Sequence, residues 1–435
     1  MEFESIKIKD TNIKLIDGDR GKNYPKKTEM TSHGHTLFLN NKNISENFLD
    51  DSFGDFITEE KSNSLKKGKL NRNDIVLSTR GSVGNVGFYD SQVKSDNIRI
   101  NSGMIILRND DENFLNEYLY LLFKSPYMQN KFKEFVGGSV QNHLPIRDLQ
   151  HIKIIYPPLF FQAYIVKIIR QIEEKIQINK KLIVNLEELS QTLFKRWFVD
   201  FEFSDENGNP YKSSGGEMTD SELGEIPKAW RVETLEKLGL IVGGGTPSKK
   251  NKEYYTNNGI PWITPKDLSK NRNIYISHGE NDISELGLNK SSAKLLEKNS
   301  VLFSSRAPIG YIAINNMPVT TNQGFKSIVP NEEMNPYFIY FILKNITPLI
   351  EQTASGSTFK EISAKGMKSI KIVFPSIELI KQYGNIVKKY FEEINFLENQ
   401  NIKLIELRDT LLPKLMSGEL EIPDDVEVNT DELSI

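Results

Sequence analysis

Residues 74–84 read DIVLSTRGSVG, and residues 300–310 repeat nearly the same phrase as SVLFSSRAPIG. Each stretch is a run of β-forming residues that ends at a turn containing glycine or proline, which predicts a strand followed by a tight turn. Aligning the two stretches places Arg80 on Arg306. A strand-and-turn unit written twice in one chain predicts two copies of one fold.

The similarity between the two halves extends on both sides of this unit. The matched pairs are TLFLNNKNIS (36–45) with IPWITPKDLS (260–269), INSG (100–103) with TNQG (321–324), and GGSVQNHLPIRDLQHIKIIYPP (137–158) with SGSTFKEISAKGMKSIKIVFPS (355–376). The spacing between partners changes from pair to pair, as insertions and deletions in surface loops would produce.

Each half closes with a long amphipathic pattern. Over 159–199 and 377–416, apolar residues recur in alternating steps of three and four, which is typical of helices that pack along one stripe. The first stripe is Ile165, Ile169, Ile172, Ile176, Ile183, Leu186, Leu193 and Trp197, and the second is Ile380, Tyr383, Val387, Tyr390, Ile394, Leu397, Leu404, Leu411 and Leu415. Asn179 and Asn401 interrupt the stripes, and polar residues at such positions set the register of paired helices at some cost in stability.

These two helices are predicted to pack on each other, because a single helix with one apolar stripe is not stable in water. Equal length at equivalent places favours an antiparallel coiled-coil pair, roughly 60 Å long at ~1.5 Å per residue. The alternative is that each helix simply lies on its own domain. Gly384 weakens the second helix by about 1 kcal/mol relative to alanine.

The predicted fold class is therefore α+β, with two β-rich domains separated by two long antiparallel coiled-coil helices and a pseudo-twofold internal repeat. The predicted order is a first domain (1–157), a first long helix (158–199), a Gly/Ser/acidic linker (200–225), a second domain (226–375), a second long helix (376–417) and an acidic tail (418–435).

Composition sets the broad class of the protein. The 435 residues are 38% hydrophobic and 26% charged, which suits two or three folded domains. The absence of cysteine excludes thiolate metal sites and thiol catalysis and agrees with a reducing compartment. Since no stretch is apolar enough to cross a bilayer and residues 1–10 do not resemble a leader peptide, the sequence predicts a cytoplasmic protein without a membrane partner.

The net charge of −3 hides an uneven distribution. Residues 419–435 contain seven acidic residues and no basic one, and residues 200–225 contain eight acidic residues and one lysine. The rest of the chain is therefore net basic. A basic body of this kind can bind phosphate groups.

Motifs for catalysis are missing from the sequence. There is no GxxxxGK[ST] phosphate loop and no GxGxxG after a strand, and His33 and His35 have no neighbouring metal ligands in the sequence. NPYF (335–338) resembles the Asn-Pro-Pro-Tyr/Phe loop of amino-methyltransferases but lacks one proline. Asn335 as a helix N-cap with Pro336 at the first helical position explains this stretch structurally.

Recognition chemistry, by contrast, recurs in both halves. IDGDRGKNYPKK (16–27) and IVGGGTPSKK (241–250) each combine glycines, a proline and clustered basic residues, which suits close contact with phosphates. An ordinary solvated basic loop is the alternative. Arg80 and Arg306 could each read guanine or could each pair with a local carboxylate. The candidate DNA-binding residues are Arg20, Lys22, Asn23, Tyr24, Lys26, Lys27, Lys42, Arg80, Ser82, Gly244, Thr246, Ser248, Lys249, Lys250, Lys266 and Arg306.

Four segments carry a resemblance to a known family. IDGDRGKNYPKK (16–27), DFEFSDENGNPYKSSGGEM (200–218), GEIPKAW (224–230) and LLPKLMSGELEI (411–422) resemble the specificity (S) subunit of Type I restriction–modification systems. This resemblance implies two target-recognition domains that alternate with two conserved-region helices, and each domain would read one half of a split double-stranded DNA site. With B-DNA repeating about every 34 Å, the helix pair would act as a ruler between the halves.

The resemblance also implies that this chain has no catalytic residues and no cofactor of its own. Two modification subunits would supply S-adenosylmethionine-dependent adenine methylation, and restriction subunits would supply cleavage with ATP and Mg²⁺. Two other functions stay open at this point: a fused restriction-methylation enzyme, and an assembly scaffold that does not read DNA.

Overall fold

The computed structural model of the chain describes residues 3–45, 48–135, 143–356 and 360–420. The chain divides into two compact units. Unit 1 comprises Met1–Lys175 with Leu404–Ile435, and unit 2 comprises Ile176–Lys403. Both dividing points fall inside long helices, so each unit includes a stretch of both helices. Among the described residues, none of the helices combines the length and the hydropathy that a transmembrane span requires.

Unit 1 is built on short strands with helices packed beside them. Its strands are β1 (Ser5–Lys7), β2 (Ile13–Asp17), β3 (Thr36–Leu39), β4 (Ile44–Ser45), β5 (Phe48–Leu49), β6 (Asp55–Ile57), β7 (Ile75–Ser78), β8 (Val86–Phe88), β9 (Ile98–Ile100), β10 (Met104–Asn109) and β11 (Lys153–Ile155). Its helices are α1 (Glu59–Ser64), α2 (Asn116–Lys124), α3 (Pro126–Phe135), α4 (Ile146–Leu149), the start of α5 (Leu159–Phe198) and the end of the second long helix (Ile377–Ser417), with 3-10 turns at Ile8–Asp10, Lys27–Glu29 and Asn41–Asn43.

Strand β10 is central to the main sheet of unit 1, whose order is β2–β10–β7–β8 with antiparallel neighbours. Side chains alternate across the two faces of a strand. Ile105 and Leu107 accordingly join the core around α2 and α3, whereas Met104 and Ile106 join the core of the second sheet, β6–β3–β9. The main sheet is therefore covered on both faces.

Unit 2 repeats this plan. Its strands are β12 (Met218–Ser221), β13 (Gly224–Pro227), β14 (Arg231–Thr234), β15 (Gly239–Gly243), β16 (Tyr255–Thr256), β17 (Ile260–Ile263), β18 (Tyr275–Ile276), β19 (Asn281–Ile283), β20 (Val301–Ser305), β21 (Ile309–Asn315), β22 (Thr320–Thr321), β23 (Lys326–Pro330) and β24 (Lys371–Phe374). Its helices are the rest of α5, then α6 (Pro265–Lys270), α7 (Glu285–Asn289), α8 (Pro336–Thr353), α9 (Ala364–Lys368) and the first part of α10 (Ile377–Ser417), with 3-10 turns at Leu235–Leu238 and Lys252–Tyr254.

The two units have the same strand order. The main sheet of unit 2 runs β15–β23–β20–β21–β18, and its first four strands correspond to β2–β10–β7–β8. The second sheets also correspond, because β3 pairs with β9 in parallel and β17 pairs with β22 in parallel. The predicted internal repeat and α+β fold class are therefore confirmed, and the strand of DIVLSTRG is the equivalent of the strand of SVLFSSRA.

Residues 200–225, predicted as a linker, carry ordered structure. Strands β12 and β13 form an antiparallel hairpin there. The Phe203 ring stacks between Tyr211 at 4.6 Å and Trp230 at 5.2 Å, measured between ring centroids. The acidic and glycine-rich composition of the segment gave no indication of this small aromatic cluster. The predicted acidic tail lies mostly outside the described residues, which end at residue 420.

Helix α8 begins as the sequence predicts. The Asn335 side chain accepts a hydrogen bond from the Phe338 backbone N–H at 2.9 Å, with Pro336 at the first helical position. Its amide also donates to the Ile380 carbonyl of α10 at 3.1 Å. A Cβ on Gly384 would lie 2.6 Å from the Asn335 Nδ2 atom, so the glycine inside α10 permits this close approach.

The two long helices are antiparallel within unit 2. The Asn179 amide of α5 donates to Asn401 Oδ1 of α10 at 2.9 Å, and the Tyr383 hydroxyl donates to the Ser190 carbonyl at 3.1 Å. Residue numbers rise along α5 as they fall along α10. Helix α10 also contributes buried side chains to the core of unit 2. It therefore packs both on α5 and on its own domain, so the two predicted arrangements occur together in this helix.

The same direction holds within unit 1. Glu173 of α5 lies 3.8 Å from Arg408 of α10, and it also pairs with Lys124 of α2 at 3.3 Å. Leu412 and Leu415 of α10 belong to the same buried core as Ile165 of α5. Burial of Leu and Ile side chains of this kind stabilises a fold by roughly 1.5–3 kcal/mol each.

A buried carboxylate joins α10 to the sheet of unit 2. Glu398 is 3% exposed and accepts hydrogen bonds from the backbone N–H groups of Ile274 at 2.7 Å and Tyr275 at 3.0 Å. Burial raises the pKa of Glu398 to about 7, while these two hydrogen bonds act in the opposite direction.

The Asn179–Asn401 contact is polar within an apolar seam, and it is incompletely satisfied. Asn179 is fully buried, and its Nδ2 also donates to Gln400 Oε1 at 2.7 Å. Its Oδ1 atom has no hydrogen-bond partner among the described residues. A buried polar atom without a hydrogen-bond partner lowers the stability of the fold by about 1–3 kcal/mol. A polar pair at a single position of an apolar seam, however, fixes the register of the two helices.

We expect the double substitution N179L/N401L to raise the thermal unfolding temperature, because both buried amides are replaced by side chains that pack in the seam. The single substitution N401L should lower it, since it removes an acceptor and leaves the Asn179 amide buried. Differential scanning calorimetry of the full chain measures both. A double variant less stable than N401L would contradict this account of the seam.

Candidate nucleic-acid interface

A short turn between β9 and β10 joins several loops of unit 1. The Asn101 side chain accepts a hydrogen bond from the Gly103 N–H at 2.8 Å, forming an Asx turn. The Gly103 carbonyl accepts from the Thr79 N–H at 2.8 Å and from its hydroxyl at 3.0 Å. The Asn101 N–H donates to the Leu39 carbonyl at 3.2 Å. The turn therefore fixes the loops that follow β3 and β7.

Unit 2 contains the same turn between β22 and β23. Asn322 Oδ1 accepts from the Gly324 N–H at 2.8 Å. The Gly324 carbonyl accepts from the Ser305 N–H at 2.7 Å and from its hydroxyl at 3.0 Å. The Asn322 N–H donates to the Ile263 carbonyl at 3.0 Å. We call residues 101–103 and 322–324 the Asn–Gly turns.

A glycine beyond the first strand of each main sheet packs against each Asn–Gly turn. A Cβ on Gly18 would lie 2.2 Å from the Asn101 carbonyl oxygen, and a Cβ on Gly244 would lie 1.9 Å from that of Asn322. No side chain fits at either position. Each Asn–Gly turn thus gathers the loops after three strands at one edge of its unit.

The predicted residues of the first basic loop divide into anchored and exposed groups. The Asn23 amide donates to the Ser64 carbonyl at 3.0 Å, and the Tyr24 ring packs edge-on against Phe38 at 5.6 Å, so both side chains hold the loop. Arg20 pairs with Asp17 at 3.1 Å. Arg20 is exposed despite this pairing. The predicted residues of unit 1 whose side chains are exposed and for which the described contacts show no ion pair are Lys22, Lys26, Lys27, Lys42, Arg80 and Ser82.

The predicted residues of unit 2 divide in the same way. Lys266 pairs with Glu280 at 2.7 Å, and this contact raises the pKa of Lys266. The Thr246 hydroxyl donates to the Gln323 side chain, and Gly244 packs against the second Asn–Gly turn. The predicted residues whose side chains are exposed and for which the described contacts show no ion pair are Ser248, Lys249 and Lys250.

Arg80 and Arg306 occupy equivalent positions but have different surroundings. Arg306 lies 3.3 Å from the Glu361 carboxylate, which also contacts Lys326 at 3.3 Å, so Arg306 follows the alternative of pairing with a local carboxylate. The Arg80 side chain is exposed, and its carbonyl accepts from the Asn41 amide at 2.7 Å.

The structure brings some of the predicted residues together and leaves others apart. Arg20 reaches the first Asn–Gly turn through the Ser102 carbonyl at 3.4 Å, and Arg80 follows the strand that the same turn fixes. Lys27 instead begins a 3-10 turn whose Glu29 pairs with Lys61 of α1 at 2.8 Å. The two turns have no role among the sequence predictions, although the match of INSG with TNQG already marked both of them.

Comparison with known proteins identifies the family to which the chain belongs. Residues 2–188 and 227–407 each match the family described as the Type I restriction modification DNA specificity domain. The chain belongs to this family. The two matched segments carry the two repeats, and the expected resemblance is confirmed.

Individual specificity subunits are similar to this chain over different lengths. The HindI specificity subunit of Haemophilus influenzae is 26% identical over 460 residues, covering 93% of this chain and 98% of the relative. The MjaIX specificity subunit of Methanocaldococcus jannaschii is 39% identical over 186 residues, which is 42% of each chain. The crystal structure of a type I S subunit from M. genitalium shares the fold, with a TM-score of 0.58, 18% identity, and coverage of 98% of this chain and 97% of that one.

Membership of the specificity family assigns DNA target recognition in a type I restriction–modification system to this chain. Specificity subunits are not catalytic by themselves. The comparisons give no support to a fused enzyme or to a scaffold that does not read DNA. The individual DNA-binding residues stay predictions.

We expect the substitution G244A to disrupt the second Asn–Gly turn, because the added methyl group would overlap the Asn322 carbonyl. Overpacking of this kind costs about 1–3 kcal/mol. The matched control is G243A, whose Cβ would meet only Lys326 Cδ at 3.9 Å. G244A should lower the thermal unfolding temperature and weaken DNA binding. G243A should be near wild type in both measurements. Equal behaviour of the two variants would contradict the assigned role of the turn.

We expect the substitution E361Q to strengthen DNA binding by freeing Arg306 and Lys326 from their shared carboxylate. The slope of log K against log salt should steepen by roughly 0.9 for each additional phosphate that these two cations neutralise. E217Q is the matched control, since it removes the partner of Lys228 in the β12–β13 hairpin. Titrations of the assembled complex at several salt concentrations test this, and indistinguishable slopes for the two variants would refute it.

Proposed function

We propose that this specificity chain reads a bipartite DNA target, one half with each unit, and directs type I modification and restriction subunits to that target. The observation that carries the proposal is that both units build the same Asn–Gly turn and surround it with different side chains. Equivalent frames with different side chains are what two related readers of different sequences require.

The exposed cations in the loops that these turns hold suit a role in DNA binding. Lysine and arginine side chains position a protein on the phosphate backbone, and base edges are read by groups that enter a groove. Arg80 and Lys42 in unit 1, and Lys249 and Lys250 in unit 2, have the exposure that phosphate contact needs. We propose these four as backbone contacts.

We place the chemistry on partner subunits. A chain with two copies of one fold offers two equivalent attachment surfaces, which supports a complex with two modification subunits. These would use S-adenosylmethionine for adenine methylation, and restriction subunits would use ATP and Mg²⁺ for cleavage. We propose that the complex acts in the cytoplasm, where its DNA target lies.

Exchange of one recognition domain tests the proposal. A chimera in which residues 1–157 come from another specificity subunit should methylate a sequence with one half changed and the other half kept. The reciprocal chimera, with residues 226–375 exchanged, is the matched control and should change the opposite half. Sequencing of methylated genomic DNA from cells that express each complex measures both.

Two outcomes would contradict the proposal in different ways. A change in both halves of the methylated sequence would refute modular reading by the two units. Turnover of S-adenosylmethionine by the purified chain alone would instead favour a self-sufficient enzyme. Sequence-selective, salt-dependent DNA binding by the assembled complex would exclude a scaffold that does not read DNA.

A further inference from the structure

Two positions beside the Asn–Gly turn meet in both units. Arg20 and Thr246 are each the third residue after the first strand of the main sheet, since β2 ends at Asp17 and β15 ends at Gly243. In unit 1, the Arg20 Nη2 group donates to the Ser102 carbonyl at 3.4 Å. In unit 2, the Thr246 hydroxyl donates to Gln323 Oε1.

These contacts place one side chain from the loop and one residue from the middle of the turn side by side. Unit 1 has a long side chain in the loop and a short one, Ser102, in the turn. Unit 2 reverses this, with a short side chain in the loop and the long Gln323 in the turn. The backbone frame is shared, so the two units differ here mainly in hydrogen-bonding chemistry.

We infer that Arg20 with Ser102, and Thr246 with Gln323, are equivalent base-reading pairs, the first specific for guanine and the second for adenine. This inference rests on the proposed function, because it assigns the bases that each unit reads. Arginine suits base reading better than the exposed lysines do, because its planar guanidinium presents a fork of donors, whereas an ammonium group is a point charge that suits a phosphate.

Arg20 has the geometry to read guanine. Its guanidinium is held by Asp17 at 3.1 Å, and 45% of its side-chain surface is exposed. Guanine presents its N7 and O6 acceptors in the major groove, and arginine binds both at once. The contact to the Ser102 carbonyl is long at 3.4 Å, so the guanidinium can exchange it for a base acceptor.

Gln323 has the geometry to read adenine. Its side chain is exposed, and Thr246 binds its Oε1 atom. A carboxamide oxygen has two lone pairs and the amide nitrogen has two N–H groups. One lone pair used by Thr246 leaves an acceptor for the adenine N6 amino group and donors for adenine N7. Thr246 thus orients the amide without occupying its reading edge.

The test is selection of binding sites from a randomised duplex library by the complex of the full chain with its modification subunits. Q323A should lower the preference for adenine at one position of one half-site by about 10-fold or more. T246V, which removes only the orienting hydroxyl, should reduce the same preference less. The double substitution T246R/Q323S should change that preference from adenine to guanine, and R20A should relax a guanine in the other half-site.

K249A is the matched control, because loss of a phosphate contact should weaken binding equally for all sequences. Unchanged base preferences in Q323A and T246V, or losses spread over both half-sites, would overturn the reading pairs while leaving bipartite recognition in place. A wild-type complex that selects no sequence would overturn the proposed function together with this inference.

Discussion

The hydrogen bond from the Gly103 N–H to the Asn101 side chain, with its counterpart between Gly324 and Asn322, is the constraint on which the proposed recognition surface depends. It closes a turn whose carbonyl groups and N–H groups then bind the ends of neighbouring strands. Gly18 and Gly244 complete each turn because no side chain fits against the asparagine carbonyl. Loops from distant parts of the sequence are thereby fixed at one edge, where their side chains can act together.

The long helices supply a different kind of constraint. In unit 2 the seam contains a buried Asn179–Asn401 contact among apolar side chains, and Glu398 attaches the same helix to the backbone of β18. In unit 1, Glu173 links α5 both to Arg408 of α10 and to Lys124 of α2. The apolar core of each unit also includes side chains of both long helices, and these polar contacts add to that packing.

The sequence predicted the large elements well because each carries a periodic signal. The stripes of the two helices, the matched strands and the Asn335 cap follow from spacing and residue type alone. The hairpin of residues 218–227 was missed because glycine and acidic residues dominate its segment. The nearby Phe203–Trp230 stack joins residues that are distant in sequence and meet only in the fold.

The candidate site was less predictable for a related physical reason. Charge and loop position identified Lys249 and Lys250, which are exposed, but also Asn23 and Tyr24, which hold the loop from inside. Whether an arginine side chain is free to bind DNA depends on its neighbours in space, as the ion pair between Arg306 and Glu361 shows. The turns themselves were visible as a four-residue match, yet their role depends on hydrogen bonds between residues far apart in sequence.

The equivalent Asn–Gly turns of the two units imply that one chain recognises two separate short DNA sequences. The most direct measurement is the wild-type sequence logo obtained when the assembled complex selects duplexes from a randomised library. We expect two short specific blocks separated by a gap of constant length in which every base is accepted. A single uninterrupted block, or two blocks whose separation varies from one selected duplex to the next, would show that the two units do not read DNA in this way.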